Sequence, residues 1–309
     1  MLNRKELDLS GQELSSLPGL ESEWLSLEVL DADRNCLESL PEEIGRLTHL
    51  RILSLYHNRL AALPGSVWEL RALQRLNLGE NQLSALPEGI GNLTGLRMLD
   101  LGHNELSALP ATIGGLHELA FLYLSNNSLD GLPQSMQNLH KLIYLNVTDN
   151  HLESLPEWIG RLSRLIELRL YNNRLSALPE SIGSLEDLRE LHLMGNRLAS
   201  LPFSIGNLKS LRILDLEGNH LAALPDSMGA LFGLTGLNLR NNRLASLPDD
   251  LGRLGKLRFL DLRANRLNSL PDGIGELSVL EKLDLRWNKI APLPVWLGRL
   301  EERGCTVFV

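Results

Sequence analysis

The chain has 309 residues and a formal net charge of −8, with an isoelectric point near 5.6. An acidic balance argues against a general surface for nucleic acid or anionic membranes, so we expect neither as a partner. No apolar run is long enough to cross a bilayer. The first residues also lack the apolar stretch of a signal peptide.

Leucine, asparagine and proline recur in a fixed order along nearly the whole chain. In Glu118–Pro133 the spacing is L-x-x-L-x-L-x-x-N-x-L-x-x-L-P, and the same frame returns every 23 residues. Thirteen copies occupy residues 4–302 without an insertion or deletion, and Gln12 replaces the asparagine of the first copy. A period of this length indicates a solenoid, in which each copy packs only against its neighbours. The asparagines of the frame are Asn35, Asn58, Asn81, Asn104, Asn127, Asn150, Asn173, Asn196, Asn219, Asn242, Asn265 and Asn288.

The first half of each copy predicts a short strand. In the stretch FLYLS that begins at Phe121, leucines alternate with other residues, which indicates that Leu122 and Leu124 point inward. Phe121 and Tyr123 then point outward. Strands of successive copies must stack in parallel, and we expect the asparagine after each strand to bond backbone groups in a buried ladder.

The second half of each copy has the pattern L-P-x-x-I-G-x-L, as in Leu40–Leu47. Because proline suits the first turn of a helix, we expect a short helix or 3₁₀ turn after each proline, closed by the glycine. Helical turns are wider than strands, so the sheet should curve with its strands on the concave face. The sequence therefore predicts an α/β solenoid: a curved horseshoe with a parallel concave sheet and short helices or 3₁₀ turns on the convex side.

The two ends depart from this pattern. Trp24 replaces a buried leucine of the later copies, so we expect it to fill the first layer. Residues 303–309 contain the stretch CTVFV, which predicts a closing strand whose outer edge could pair with another chain. No linker or shift in composition divides the sequence, and we expect residues 1–309 to form a single domain.

The two cysteines, Cys36 and Cys305, then lie at opposite ends of the solenoid and cannot pair within one chain. Free cysteines are typical of reducing compartments. We therefore expect a cytoplasmic protein, or one exported to a host cytosol without a cleavable signal peptide.

These repeats resemble the intracellular 23-residue class of leucine-rich repeats, whose unit is L-x-x-L-x-L-x-x-N-x-L-x-x-L-P-x-x-I-G. The chain is similar to the arrays of Ras-group scaffolds such as yeast adenylate cyclase, Scribble and Erbin, and to those of bacterial Roco proteins and effectors. The ending from Arg303 to Val307 also resembles the close of many bacterial arrays. The resemblance implies a leucine-rich-repeat fold that binds proteins or peptides on its concave face.

Apolar side chains at outward strand positions form a first candidate site. Exposed aromatic clusters commonly supply the residues that dominate protein interfaces. The alternative is cross-strand packing that only stabilises the sheet. The candidate partner-binding residues of this group are Tyr56, Met98, Phe121, Tyr123, Tyr144, Tyr171 and Met194.

A second candidate lies near the C-terminal end, where Arg240, Arg263 and Arg286 occupy one outward column beside Trp287. A basic patch of this kind suits an acidic peptide or a phosphate group. Aspartates occupy the neighbouring column, so the alternative is a ladder of ion pairs that neutralises the arginines locally. These aspartates are Asp215, Asp261 and Asp284.

We expect no enzyme, no metal and no cofactor. His57, Glu80 and His103 follow one another in one column, but a loop flank without supporting side chains makes a poor metal site. The sequence has no glycine-rich phosphate loop, no C-x-x-C and no H-E-x-x-H motif. Neither cysteine has a cationic setting that would activate a thiolate. We also expect His192, with Glu167 and Glu190, to form a polar cluster on the surface rather than a metal site.

The sequence thus predicts a non-catalytic, monomeric scaffold that binds a protein or peptide on its concave face. One alternative is the substrate-recognition part of an effector, or of a system linked to a ubiquitin ligase or a GTPase. Another is a scaffold that assembles with itself, for example as a dimer through the closing edge strand.

Overall fold

The structure, a computed structural model, describes residues 5–19 and 22–309. The chain forms two compact units, Met1–His151 and Leu152–Val309. Both contain the same layers: a parallel sheet of three-residue strands, a row of short 3₁₀ helices, and a core of leucines between them. We call the outward-pointing side of the strands the strand face.

The first unit has seven parallel strands, paired in sequence order. Each strand lies opposite residues 23 positions further on, as Phe121 lies opposite Tyr144. The strands are β1 (Glu6–Asp8), β2 (Val29–Asp31), β3 (Ile52–Ser54), β4 (Arg75–Asn77), β5 (Met98–Asp100), β6 (Phe121–Tyr123) and β7 (Tyr144–Asn146). The 3₁₀ helices are Ser22–Ser26, Glu42–Arg46, Gly65–Glu69, Glu88–Asn92, Ala111–Gly115 and Gln134–Asn138.

The second unit repeats this arrangement and ends differently. Its last repeat forms a true α-helix, α1 (Trp296–Glu302), and Lys282 of the last full strand pairs with Thr306, 24 residues on. The strands are β8 (Glu167–Arg169), β9 (Glu190–His192), β10 (Ile213–Asp215), β11 (Gly236–Asn238), β12 (Phe259–Asp261), β13 (Lys282–Asp284) and β14 (Thr306–Phe308). The 3₁₀ helices are Glu157–Arg161, Glu180–Ser184, Phe203–Asn207, Asp226–Ala230, Asp249–Arg253 and Asp272–Glu276.

The predicted fold class is confirmed: parallel strands, one per repeat, alternate with short 3₁₀ turns around a leucine core. The predicted closing strand is β14, and within the described residues it pairs with β13 on one side only. Trp24 is buried, as expected for a residue that fills the first layer.

Asparagine side chains join the backbone of neighbouring repeats. The amide of Asn150 donates to the carbonyl oxygens of Leu124 (2.9 Å), Val147 (3.3 Å) and Thr148 (3.1 Å), and its oxygen accepts the N–H of Leu129 (2.9 Å). Both the amide group and the oxygen of this buried side chain therefore bond to backbone groups, and the N–H of Leu129 has the Asn150 oxygen as its acceptor. In the predicted ladder, each asparagine side chain thus bonds to backbone groups of its own repeat and of the preceding one, as Asn150 does.

The glycine of the Ile-Gly pair has a different role from the predicted one. Gly114 lies inside the helix Ala111–Gly115, and Leu116 caps that helix. A Cβ atom at Gly114 would lie 2.6 Å from the Cβ of Ser135 in the next repeat. Glycine is therefore required because adjacent turns approach closely, and not because it ends the helix.

Replacement of Asn150 by Ala removes four hydrogen bonds to buried backbone groups. We expect a loss of about 1–3 kcal/mol in the free energy of unfolding, measured by urea denaturation. The control is Asn138→Ala, because Asn138 is exposed at the end of a 3₁₀ helix. Equal effects of the two substitutions would contradict the ladder.

Two glycines of the first unit provide a matched test of close packing. We expect Gly114→Ala to destabilise by about 1–3 kcal/mol, because the added methyl group overlaps the next turn. Gly131→Ala meets no atom within 4 Å and should be neutral or stabilising by about 0.4–1 kcal/mol. Thermal unfolding of both variants checks the pair, and a neutral Gly114→Ala would show that the turns can separate at little cost.

Candidate functional site

Each repeat presents three outward positions on the strand face, which we number in chain order. In the repeat of β6 these are Phe121, Tyr123 and Ser125. The inward positions between them, Leu122 and Leu124, are fully buried. The leucines at the inward positions form the core here, so Phe121 and Tyr123 can contact a partner without leaving it.

Aromatic residues of the first unit lie together on the strand face. Met98, Phe121 and Tyr144 share the first outward position on adjacent, paired strands. The rings of Tyr123 and Tyr144 lie 4.9 Å apart between centroids, and Phe121 is 38 % exposed. We call these four residues the aromatic patch. It joins four of the predicted partner-binding residues into one surface.

Tyr56 is separate from the aromatic patch. It occupies a third outward position, in the repeat of β3, and its hydroxyl donates to Glu80 at 2.5 Å. This hydrogen bond raises the pKa of Tyr56 and lowers that of Glu80. Glu80 also contacts Nδ1 of His57 at 2.5 Å, while His103 lies within 3.3 Å of the amide of Asn126. His57, Glu80 and His103, the column considered above as a metal site, therefore form hydrogen bonds with neighbouring side chains.

Tyr171 and Met194 belong to the second unit. Met194 is half-buried, and the ring of Tyr171 meets that of His192 edge-on at 5.3 Å. His192 contacts Glu190 at 3.0 Å. One ligand atom each from Glu167, Glu190 and His192 falls within 4.8 Å of the others. The guanidinium of Arg169 already bonds Glu167, so a cation is present in this cluster.

A cleft of about 370 Å³ opens on the strand face of the second unit. Its centre is Gly236 on β11, which places no side chain between Ile213 on β10 and Phe259 on β12. Asp215, Asn238 and Asp261 line it at the second outward position, with Tyr171 and His192 at one end and Lys282 at the other.

The three arginines of the second candidate site are paired. Arg263 bonds Asp261, Arg286 bonds Asp284 at 2.6 Å, and Arg240 lies 3.5 Å from Glu217. The ion-pair alternative describes this geometry better than a free basic patch does. Trp287 is 65 % exposed beside Arg286, with the guanidinium 5.6 Å from its ring centroid.

Asp284 is fully buried and depends on these arginines. Burial is the largest single influence on its pKa and raises it, but hydrogen bonds and charge from Arg286 and Arg263 together lower the pKa below its usual value. Arg286 and Arg263 therefore favour the ionised form of a buried carboxylate, so their role at Asp284 is structural.

Sequence reasoning assigned Tyr171 to a site but missed the cleft that it borders. Ile213 and Phe259 are visible in the sequence as outward apolar residues, and Gly236 as the glycine between them. The signal that could have located the cleft was this glycine at the first outward position. A search for clustered aromatic residues does not detect it.

Models of the leucine-rich-repeat region match residues 7–105 and 88–194. Two further leucine-rich-repeat models match residues 186–227 and 232–290. The chain belongs to the leucine-rich-repeat family. The resemblance to leucine-rich repeats is thereby confirmed, while the Ras-group, Scribble-type and Roco subgroups stay predictions.

Several solved structures are similar to most of this chain. A leucine-rich-repeat protein of Leptospira interrogans has 32 % identity and a TM-score of 0.70, covering 99 % of this chain and 95 % of that one. The plant peptide hormone receptor RGFR1, in complex with RGF2, has 31 % identity and a TM-score of 0.77 over 85 % of this chain. TLR13, in its complex with ssRNA13, has 25 % identity and a TM-score of 0.71 over 93 % of this chain.

This chain spans 44 % of the RGFR1 chain and 47 % of the TLR13 chain. A comparison with curated proteins finds no match. Among residues 5–19 and 22–309, no helix has the length and apolar character needed to cross a membrane.

The dependence of Asp284 on Arg286 gives a prediction for Arg286→Gln. Because the folded pKa of Asp284 lies below its unfolded value, the stability from this pair is present above about pH 4 and is lost as the pH falls through the folded pKa. We expect the variant to lose about 1–3 kcal/mol at pH 7. The deficit should be smaller at pH 3, because protonation becomes easier as the pH falls and a protonated Asp284 has no charge to pair.

Urea denaturation at the two pH values measures this deficit. Arg253→Gln is the control, since Arg253 pairs with Asp250 at 3.6 Å on an exposed helix surface, where an ion pair contributes little. A deficit of Arg286→Gln that is the same at both pH values would contradict the electrostatic role.

Proposed function

We propose that this leucine-rich-repeat protein is a non-catalytic scaffold that binds a protein or peptide on its strand face, the concave face expected from the sequence. The observation that carries the proposal is the exposure of large apolar side chains there: Phe121 and Ile213 are each 38 % exposed and Phe259 is 47 % exposed. Burying such side chains against a partner is a main source of binding energy.

The comparisons support a protein or peptide as the ligand. The plant peptide hormone receptor RGFR1 was solved in complex with RGF2. TLR13 was solved with an RNA, but the charge of −8 on the present chain disfavours a polyanionic ligand. A repeat array also loses little conformational entropy on binding, because the strands are already ordered.

The leucine-rich-repeat fold is typically a binding scaffold, and the chemistry of the cysteines is consistent with that role. Cys305 is buried, and burial raises the pKa of its thiol, which disfavours the reactive thiolate. A ligase-type mechanism would need an activated thiol. We accordingly assign no catalytic role to Cys305. We further propose that the protein is monomeric, that residues 1–309 act as one domain, and that it works in a reducing cytosol.

Affinity capture with three baits tests the proposal. The baits are the wild type, a strand-face variant with Phe121, Tyr123 and Tyr144 changed to Ala, and a control with Phe203 and Phe232 changed to Ala. Phe203 and Phe232 are also exposed aromatics, 70 % and 49 %, but lie outside the strands, at or after 3₁₀ helices. The control therefore removes similar apolar area from a different surface.

We expect a partner that the wild type and the control retain and the strand-face variant loses. Its dissociation constant should rise about 30-fold or more for the strand-face variant, which corresponds to about 2 kcal/mol. Thermal unfolding should change little, because the leucine core is intact. A partner that is lost only by the control would place binding on the helical side and contradict the proposal.

A further inference from the structure

The cleft at Gly236 has apolar walls and an open floor. Ile213 and Phe259 stand on the strands either side of Gly236, so their backbones are about 9–10 Å apart. A Cβ atom added at Gly236 would meet no atom within 4 Å. The gap is therefore wide enough to admit an extended side chain between the two apolar walls.

The second outward positions give the cleft an acidic side. Asp215 on β10 and Asp261 on β12 flank Asn238 on β11. Arg263 neutralises Asp261 by direct hydrogen bonds. Asp215 is half-buried, and within the described residues no lysine or arginine forms a salt bridge with it.

The partners of Asp215 leave its charge largely unbalanced. Its carboxylate accepts the N–H of Glu217 at 3.1 Å and a hydrogen bond from the side chain of Asn238, which are both neutral donors. The carboxylate of Glu217, which lies 3.5 Å from Arg240, adds a second negative charge nearby. His192 is the one nearby group that favours the ionised form by its charge. Burial raises the pKa of Asp215, so ionisation of this carboxylate costs free energy in the unliganded protein.

Two positive groups lie near the opposite end of the cleft: Lys282, which lines it, and Arg258, which contacts the ring of Phe259. The guanidinium of Arg258 lies 2.6 Å from Glu281 and 5.5 Å from the ring centroid of Phe259. The ammonium of Lys282 lies 5.5 Å from the ring centroid of Phe308. The cleft therefore has an acidic group, Asp215, on one side and a basic group, Lys282, at the other end.

We propose that this cleft binds a single positively charged side chain, arginine or lysine, from an extended segment of a protein or peptide partner. The aliphatic stem lies over Gly236 between Ile213 and Phe259, and the charged group pairs with the carboxylate of Asp215. This inference rests on the proposed function, because it names the ligand chemistry of one part of the strand face.

A basic side chain fits both halves of the cleft. Lysine and arginine have apolar stems that pack against apolar surface while the charged end reaches a polar group. A purely apolar side chain would cover Asp215 and leave its charge unpaired, which is costly, and an acidic side chain would be repelled. The net charge of −8 also attracts basic segments at long range.

Selection from a displayed library of random 12-residue peptides tests the inference. The targets are the wild-type protein, Asp215→Asn, Gly236→Val and Asp100→Asn. Asparagine keeps the oxygen that accepts the N–H of Glu217, and valine fills the open floor at a position where β-branched residues suit a strand. Asp100 is the matched control, since it is a second outward aspartate whose pKa burial also raises, but it lies in the first unit.

We expect wild type and Asp100→Asn to select peptides with arginine or lysine at one fixed position, and Asp215→Asn and Gly236→Val to lose that preference. In the best peptide, replacement of arginine by the isosteric neutral citrulline, or of lysine by norleucine, should weaken wild-type binding about tenfold or more. The same replacement should have little effect on binding to Asp215→Asn. A cooperative thermal unfolding transition of each variant checks that it is folded.

Three results would overturn the inference. Peptides without a basic position that bind wild type and Asp215→Asn equally would leave strand-face binding intact but remove the assigned ligand. Unchanged affinity of the basic peptides for Gly236→Val would place them outside the cleft. Failure of the wild type to select any basic peptide would also reject the cleft's assignment. The capture experiment tests binding at the aromatic patch, which lies in the first unit, and its outcome is separate from this result.

Discussion

The structure depends on one constraint: the turn after each three-residue strand holds buried backbone groups, such as the N–H of Leu129, that bond to a side chain rather than to another backbone group. The asparagine after each strand supplies the missing hydrogen bonds, as Asn150 does through four of them. A buried backbone group without a partner costs as much as a lost hydrogen bond or more. The turn at this point also requires a left-handed residue, such as Asp149 with φ 53°. Repeat length, strand position and turn geometry are therefore fixed together.

This constraint separates the residues that hold the fold from those that contact solvent. Leucines, asparagines and the close-packed glycines determine the framework, and the three outward positions of each repeat remain available. The chain uses them in different ways. Some carry apolar rings, as in the aromatic patch, some carry ion pairs that support a buried carboxylate at Asp284, and one, Gly236, carries no side chain and so creates a cleft. The binding properties of the strand face then depend on which outward side chains lie next to one another.

The sequence predicted what the period determines and missed what depends on particular neighbours. Strands and 3₁₀ turns follow from the repeat spacing, and the closing strand follows from the stretch CTVFV, so each was found. The role of Gly114 depends on the distance to Ser135 in the next repeat, which a one-dimensional pattern does not contain. The cleft arises from an absent side chain at Gly236, and the unbalanced charge of Asp215 arises from where the arginines point. The cleft and the charge of Asp215 both depend on contacts in three dimensions, which the repeat spacing does not contain.

The measurement that tests this account most directly is a stability scan of every single substitution across one repeat, residues 119–141, in the full-length chain. The account predicts that substitutions at Leu122, Leu124 and Asn127 cost about 2 kcal/mol or more, while substitutions at Phe121 and Tyr123 stay within about 1 kcal/mol. If the outward aromatics prove as costly to replace as the buried leucines, they belong to the framework. The division between scaffold and binding surface would then be wrong.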